Sequence, residues 1–182
     1  KVTHLVKQVK ELEFSGYAYD GAEASFELLA RRALETVPDY FRLSSFRVID
    51  ERRWNARDEL ITLSEATIKA EVNGKNFMTV AEGNGPVNAL DSALREVLLP
   101  IYPELEDIRL VDYKGRILTP SDATGAVTRV MIESADAHGV RWSTVGVSSN
   151  IIDASYGALR DSIVYKLYRD GAKAGGNLNG KS

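Results

Sequence analysis

The second half of this 182-residue chain repeats the plan of the first. A shift of 65 residues carries Asn73-Gly74 onto His138-Gly139, Phe77 onto Trp142, Thr79-Val80 onto Thr144-Val145, Val87 onto Ile152, and Ala93-Leu94-Arg95 onto Ala158-Leu159-Arg160. A shift of 62 carries Phe46-Arg47-Val48-Ile49-Asp50 onto Ile108-Arg109-Leu110-Val111-Asp112, which implies a three-residue insertion between the two sets of matches. The repeated unit is three strands followed by a helix. One such unit leaves a sheet face and a helix stripe uncovered, so the expected fold is α+β, an internally duplicated βββα domain whose two halves pack together. The halves fall at about residues 40–100 and 101–169.

Within the first half, period-two runs of branched and aromatic residues predict strands at Phe41–Ile49, Ala66–Val72 and Phe77–Ala81. Asn73-Gly74 is the favoured two-residue hairpin turn. The charged stretch Asp50–Glu59, with Trp54, reads as a surface loop or a ragged strand end. A helix from Pro86 places Val87, Leu90, Leu94, Val97 and Leu98 on one side and stops before Pro100.

Residues 1–39 read as a separate helical linker. Val2, Leu5, Val6, Val9 and Leu12 form one amphipathic helix, and a turn comes next at Ser15-Gly16. Asp20, three residues before Glu23, is the expected N-cap of a second helix whose buried face runs through Phe26, Leu29 and Ala33 and which Pro38 ends. Two short helices make no core; they either pack on the duplicated domain or cover a domain outside this chain. The glycine-rich tail, residues 170–182, reads as flexible.

A net charge of −3 leaves no broad electrostatic footprint for nucleic acid or acidic lipid. The absence of cysteine removes disulfides and thiolate catalysis and suits a cytoplasmic location. No apolar run approaches the ~20 residues of a membrane span. The two histidines, His4 and His138, are far apart and form no metal-binding pair, and no residue is assigned a catalytic role. Gly83-x-Gly85 lacks both the third glycine of a dinucleotide fold and a phosphate-loop lysine. What remains are two helix starts, Gly83–Asp91 and Ser148–Ala154. Flanking glycines free the backbone of the first, and Pro86 suits its first helical position. Each presents free N–H groups and a positive dipole end to a carboxylate or phosphate.

The segments Ala22-Glu23-Ala24-Ser25-Phe26-Glu27-Leu28-Leu29, Glu82-Gly83-Asn84-Gly85-Pro86-Val87-Asn88-Ala89-Leu90-Asp91, Leu110-Val111-Asp112-Tyr113-Lys114 and Thr144-Val145-Gly146-Val147-Ser148-Ser149-Asn150-Ile151-Ile152-Asp153 resemble the C-terminal region of the 2-isopropylmalate synthase family, on its citramalate synthase branch. The resemblance runs to about Tyr168. It implies a parent homodimer in which an N-terminal barrel condenses acetyl-CoA with a 2-oxo acid, using a divalent metal, and a C-terminal domain binds the pathway's amino-acid end product and inhibits the barrel. This chain then corresponds to the regulatory domain, with no cofactor of its own and with isoleucine as the expected effector, leucine second. Thr119-Pro120-Ser121-Asp122 lengthens one connection relative to the family.

The effector needs donors for its carboxylate, acceptors for its ammonium and a dry slot. Backbone N–H groups around Asn84-Gly85 and Asn150-Ile151, with the Asn84 and Asn150 side chains, are the candidate donors. Carbonyls of Ala123, Thr124 and Gly125, or Asp153, are the candidate acceptors. Val87, Leu90, Val147 and Ile151 are candidates for the slot, and Asn88 stands in the first helical turn. Each also has a plain structural reading as turn former, first-turn residue or core. A dimerisation module without effector binding is the competing function.

Overall fold

The computed structural model describes residues 1–118 and 125–180. In chain order the elements are helices α1 (Val2–Phe14) and α2 (Glu23–Ala33), strands β1 (Arg42–Trp54), β2 (Leu60–Val72) and β3 (Lys75–Gly83), helix α3 (Pro86–Leu98), strands β4 (Arg109–Leu118), β5 (Val127–Ala135) and β6 (Arg141–Ser148), and helix α4 (Ile151–Arg169). They divide into two compact units, one of Asp39–Glu106 with the segment from Ala172, the other of Lys1–Pro38 with Asp107–Gly171. Each unit holds one antiparallel three-stranded sheet, ordered β1-β2-β3 or β4-β5-β6, and one long helix, so the α+β duplicated βββα architecture is present.

In the unit of β1–β3, alternation along β2 buries Ser64, Ala66, Ile68, Ala70 and Val72. Their apolar side chains share the core with Ala89, Leu90, Ala93, Leu94, Val97 and Leu98 of α3. Asn73 and Gly74 have φ of 51° and 77°, the two positive values a type I′ hairpin turn requires. The stretch Asp50–Glu59 is mostly strand, because β1 and β2 stay paired to Trp54 and Leu60, well past Ser64, where β3 ends its pairing. Beyond that point the two-stranded ribbon is solvated, which is why its charges are compatible with strand. Asn55 closes the tip, its Oδ1 accepting from Arg57 N and Glu59 N. The segment after Ala172 returns to this unit: Asn177 N donates to Ile101 O at 2.9 Å. Gly175 N donates to the buried Tyr102 hydroxyl at 3.0 Å. Tyr102 in turn donates to Tyr40 O at 2.6 Å. Glycine content alone does not register these contacts.

In the other unit α4 lies on one face of the β4–β6 sheet, with Thr144 Oγ1 donating to Ala158 O and Trp142 Nε1 to Ser162 O. Helix α2 packs along β6 and α4. Two expectations for α2 are corrected. Asp20 lies in a short 3-10 turn, Tyr19–Gly21, and the N-cap position is Ala22. Glu23 is used across space instead, its carboxylate accepting from Ser143 N at 3.0 Å. The buried face is Ala24, Ser25 and Leu28, whereas Phe26 is exposed, because the helix seats on small residues that allow close approach to β6.

The repeat is also corrected in its first strand. Both first strands carry an irregularity, between Leu43 and Ser45 in β1 and between Leu110 and Asp112 in β4, and these align at a shift of 67, not 62. Matching by residue type took no account of the face each residue occupies, and a shift wrong by five, an odd number, sets inward positions against outward ones. Asp136, at the second hairpin turn, accepts from His138 N and Val140 N and so braces a longer turn than Asn73-Gly74 makes.

Candidate functional site

The two helix starts differ in how their backbone donors are used. At α3 the N-cap is Gly85, with no side-chain cap, and Pro86 comes next; the N–H groups of Val87 and Asn88 are left without a capping acceptor. At α4 the N-cap is Asn150, whose Oδ1 accepts from Ile152 N at 2.7 Å and from Asp153 N at 3.4 Å. The donors read as available for a ligand at α4 are therefore largely taken by Asn150 itself.

The glycines of the first loop are also corrected. Neither Gly83 nor Gly85 has positive φ. Gly83 is required for space: a Cβ there would stand 2.5 Å from Ala89 N and 2.8 Å from Asn88 C. Gly85 is extended, with φ of −165°, and a Cβ there meets nothing within 4 Å. In the second half the same service is rendered two residues earlier in the repeat, by Gly146, whose added Cβ would collide with Ala154 O.

Of the slot residues, Leu90 is buried in the α3 core. Val87 is half-buried and Asn84 and Asn88 are exposed. Val147 belongs to the sheet face away from α4, where it joins the cluster of Tyr19, Ala22 and Val145 and lies beside Gly16. Ile151, by contrast, is 47% exposed at the start of α4, so Val147 and Ile151 do not form one wall. Asp153 is exposed in the first turn of α4, and Gly125 is exposed. Ala123 and Thr124 lie outside the described residues.

The structure assembles a different group around Ile151. Tyr113 of β4 places its hydroxyl 3.0 Å from Ser155 Oγ on α4, and Ser155 donates to Ile151 O at 2.7 Å. Gly115, two residues further on the same strand face, leaves room for Ile151: a Cβ there would meet Ile151 Cδ1 at 3.6 Å and the Tyr113 hydroxyl at 3.7 Å. The result is a half-exposed apolar surface with one hydroxyl pair at its edge. The signals were the same-face spacing of Tyr113 and Gly115 and the i, i+4 spacing of Ile151 and Ser155. A cavity of about 270 Å³ lies where the Ser15-Gly16 turn meets Arg116, Ile117, Leu118 and Val127, and Arg129 Nε donates to Gly16 O beside it.

Elsewhere in this unit the charges are structural. Lys166, buried, meets Asp107, Asp136 and Asp170, while Arg169 pairs with Asp136 and Asp170 and lies 4.8 Å over the Trp142 ring. Burial acts to raise the Asp136 carboxyl, but hydrogen bonds from Val140 N, Arg169 and His138 N outweigh it and hold the group at about 2. Among the described residues no group of three or more His, Asp or Glu is placed to hold a metal, and no helix is long and apolar enough to cross a membrane.

Residues 20–167 match the family described as the LeuA allosteric (dimerisation) domain. Over 165 residues the chain is 53% identical to a protein named (R)-citramalate synthase from Geobacter sulfurreducens, covering 91% of this chain and 30% of that one. A protein of the same name from Aquifex aeolicus is 49% identical over 166 residues, 91% of this chain and 31% of the relative. A 2-isopropylmalate synthase from Aquifex aeolicus is more distant, at 37% over 104 residues, 57% of this chain and 18% of the relative. The chain thus spans about 30% of the length of the citramalate synthases it matches. A duplicated βββα fold and a family match across both halves make this chain a member of the LeuA allosteric (dimerisation) domain family, with its nearer likeness on the citramalate synthase side.

Proposed function

We propose that this chain is the effector-sensing domain of a homodimeric citramalate synthase, binding isoleucine and inhibiting a catalytic barrel that condenses acetyl-CoA with pyruvate. The observation that carries the reading is the 53% and 49% identity, across nearly the whole domain, to proteins named (R)-citramalate synthase. Inhibition requires the effector to bind the inactive arrangement of the parent enzyme more tightly than the active one.

The α4 start is the favoured contact region. The half-exposed Ile151 and the Tyr113 ring, which meet over Gly115, offer an aliphatic side chain an apolar surface. The exposed carboxylate of Asp153 is available to an ammonium group. The Asn84–Asn88 loop is a second effector segment in its own unit, where the uncapped Val87 and Asn88 N–H groups suit a carboxylate.

Calorimetric titration with isoleucine, leucine and valine tests the reading. Isoleucine binds tightest. Valine, one methylene smaller, binds about fourfold more weakly, from roughly 0.8 kcal/mol of lost burial. Ile151→Ala weakens isoleucine binding by about tenfold with little change in melting temperature, because the side chain is half-exposed. No heat with any of the three amino acids removes the effector reading and leaves dimerisation, the other property in the family's description. Tighter leucine than isoleucine would instead point to the 2-isopropylmalate synthase side.

A further inference from the structure

We infer that Asn84 is a site of spontaneous deamidation, which turns the connection between β3 and α3 from neutral to anionic, and that the fold selects it over the two other Asn-Gly pairs of the chain. The chemistry needs no co-reactant but water. The backbone nitrogen of the residue after an asparagine attacks the side-chain Cγ. An N–Cγ bond forms, the Cγ–Nδ2 bond breaks, and ammonia leaves with the proton that the backbone nitrogen gives up. Water then opens the five-membered imide. Opening at Cγ leaves aspartate; opening at the main-chain carbonyl leaves isoaspartate, with the chain routed through the side chain. Either product carries one carboxylate where an amide stood, and nothing is oxidised or reduced. A following glycine favours the attack, because no side chain stands beside the nitrogen. Of the eight asparagines, Asn73, Asn84 and Asn179 precede glycine, and the other five precede Ala, Phe, Ile or Leu.

Two of the three pairs are held against ring closure, which requires the next nitrogen to lie on the Cβ side of the Cα–C bond. Asn73 is the first central residue of the I′ turn, with φ of 51°. A ψ of about 30° at that position turns Gly74 N to the side away from Cβ. The pairing of Val72 with Lys75 closes this turn, and Asn73 Nδ2 donates to Asn179 Oδ1 at 3.3 Å. Asn179 is restrained at both ends of its amide, since Oδ1 accepts that bond while Nδ2 donates to Ala174 O at 2.8 Å. Its backbone lies in the short 3-10 helix Gly176–Gly180.

Asn84 has none of these restraints. With Gly85 it spans the gap between the last pairing of β3, Gly83 with Ser64, and the first residue of α3, Pro86. It is exposed, and its φ is not positive. Among the described residues neither its side-chain amide nor Gly85 N makes a hydrogen bond. The space at Gly85 is open, since an added Cβ would meet nothing within 4 Å. The flanks are fixed: Gly83 lies close against the Asn88 and Ala89 backbone, and Gly85 O accepts from Ala89 N at 3.0 Å. The ring can therefore close without unfolding either element. The product is favoured too. Its carboxylate forms one residue before the N-cap of α3, where the Val87 and Asn88 N–H groups are uncapped, and negative charge at that end of a helix is stabilising. Where this loop receives an effector's carboxylate, as proposed above, the new charge repels it; that consequence rests on the effector reading, and the modification does not.

The test incubates the chain at mildly alkaline pH, folded and in parallel unfolded in urea, and follows each asparagine by peptide mass mapping, which reads the replacement of the amide NH₂ by OH. For each Asn-Gly pair the folded rate is divided by the rate in urea, which removes the effect of sequence neighbours. That ratio is expected to be about tenfold or more higher for Asn84 than for Asn73 or Asn179, because only the latter two must open locally before they react. A ratio for Asn84 no higher than theirs overturns the inference. Gly85→Ala, which the open space accepts without a clash, slows the reaction at Asn84 in the folded chain by about tenfold or more, since a methyl group now stands beside the attacking nitrogen. An undiminished rate in this variant refutes attack by that nitrogen. Fragmentation of the modified peptide finds isoaspartate together with aspartate at position 84; aspartate alone would mean direct hydrolysis of the side chain and refute the imide.

Discussion

Two glycines in the one Gly83-Asn84-Gly85 motif should respond in opposite ways to the same added methyl group. In Gly83→Ala the new Cβ would stand 2.5 Å from Ala89 N, 2.8 Å from Asn88 C and 3.0 Å from Ala89 Cα, all backbone atoms of the first turns of α3. A side chain could rotate away; a helix backbone cannot, so α3 must shift off the sheet. Its buried residues, Ala89, Leu90, Ala93 and Leu94, lose contact as it does. Overpacking of this kind costs about 1–3 kcal/mol, and the loss of unfolded-chain entropy on replacing glycine returns only about 0.4–1 kcal/mol. Net destabilisation of about 1–2 kcal/mol is expected. In Gly85→Ala the space is empty and φ is −165°, so there is no clash. The entropy gain then offsets the poorer N-cap that alanine makes, and stability changes by less than about 0.5 kcal/mol. Gly85→Ser goes further: the hydroxyl caps the idle Val87 or Asn88 N–H and stabilises by about 0.5–1 kcal/mol. Urea unfolding at 25 °C, followed by circular dichroism, reads all three. A neutral Gly83→Ala, or a Gly85→Ala as damaging as Gly83→Ala, would refute the assignment of space to one glycine and capping to the other.

Removal of the side-chain cap in Asn150→Ala strips the acceptor from Ile152 N and Asp153 N and is expected to cost about 1 kcal/mol in the same unfolding assay. Asp136→Asn breaks the pairing with Lys166 and Arg169 and costs about 3 kcal/mol at neutral pH. The pH dependence has a definite sign. The folded-state value, about 2, lies below the ordinary 3.8, so the carboxylate's contribution is full above about 4 and is lost as pH falls toward 2. The gap between wild type and Asp136→Asn should close over that window in acid titrations monitored by tryptophan fluorescence, with Trp142 under Arg169 as the reporter. A gap that stays constant would mean that Asp136 is not held ionised by these neighbours.

Much of the fold was legible because its signals are local. Asn73-Gly74 forces a I′ turn through the conformations of two residues, and the α3 stripe announces itself by spacing. The duplication was legible too, although the first strand was matched five residues out of place, since residue types were matched without the faces they occupy. The helix starts were found, but their chemistry was not. Asn150, a candidate ligand group, is placed as the cap of α4, and Leu90, a candidate for the slot, lies in the α3 core. Neither placement was legible, because periodicity says which residues share a face, while which neighbour meets that face depends on chain segments far away. Tyr113 and Ser155, which meet across 42 positions, illustrate what such reading cannot reach. The same is true of Glu23, whose partner Ser143 stands 120 positions further along the chain.

The route of the chain through its two units has a practical corollary. The N-terminal helices serve β4–β6, and the last described residues serve β1–β3, so the segments are interleaved and not consecutive. Trimming either end therefore injures the unit that is more distant along the chain. Loss of residues 172–180 would take the Gly175 donor from Tyr102 and leave that ring, otherwise sealed, open to water. Loss of α2 would bare Asp161 and the edge of β6, with β1–β3 untouched in sequence. Excising either half of the repeat as a minimal domain would yield a sheet and helix stripped of a cover that only the remote terminus supplies.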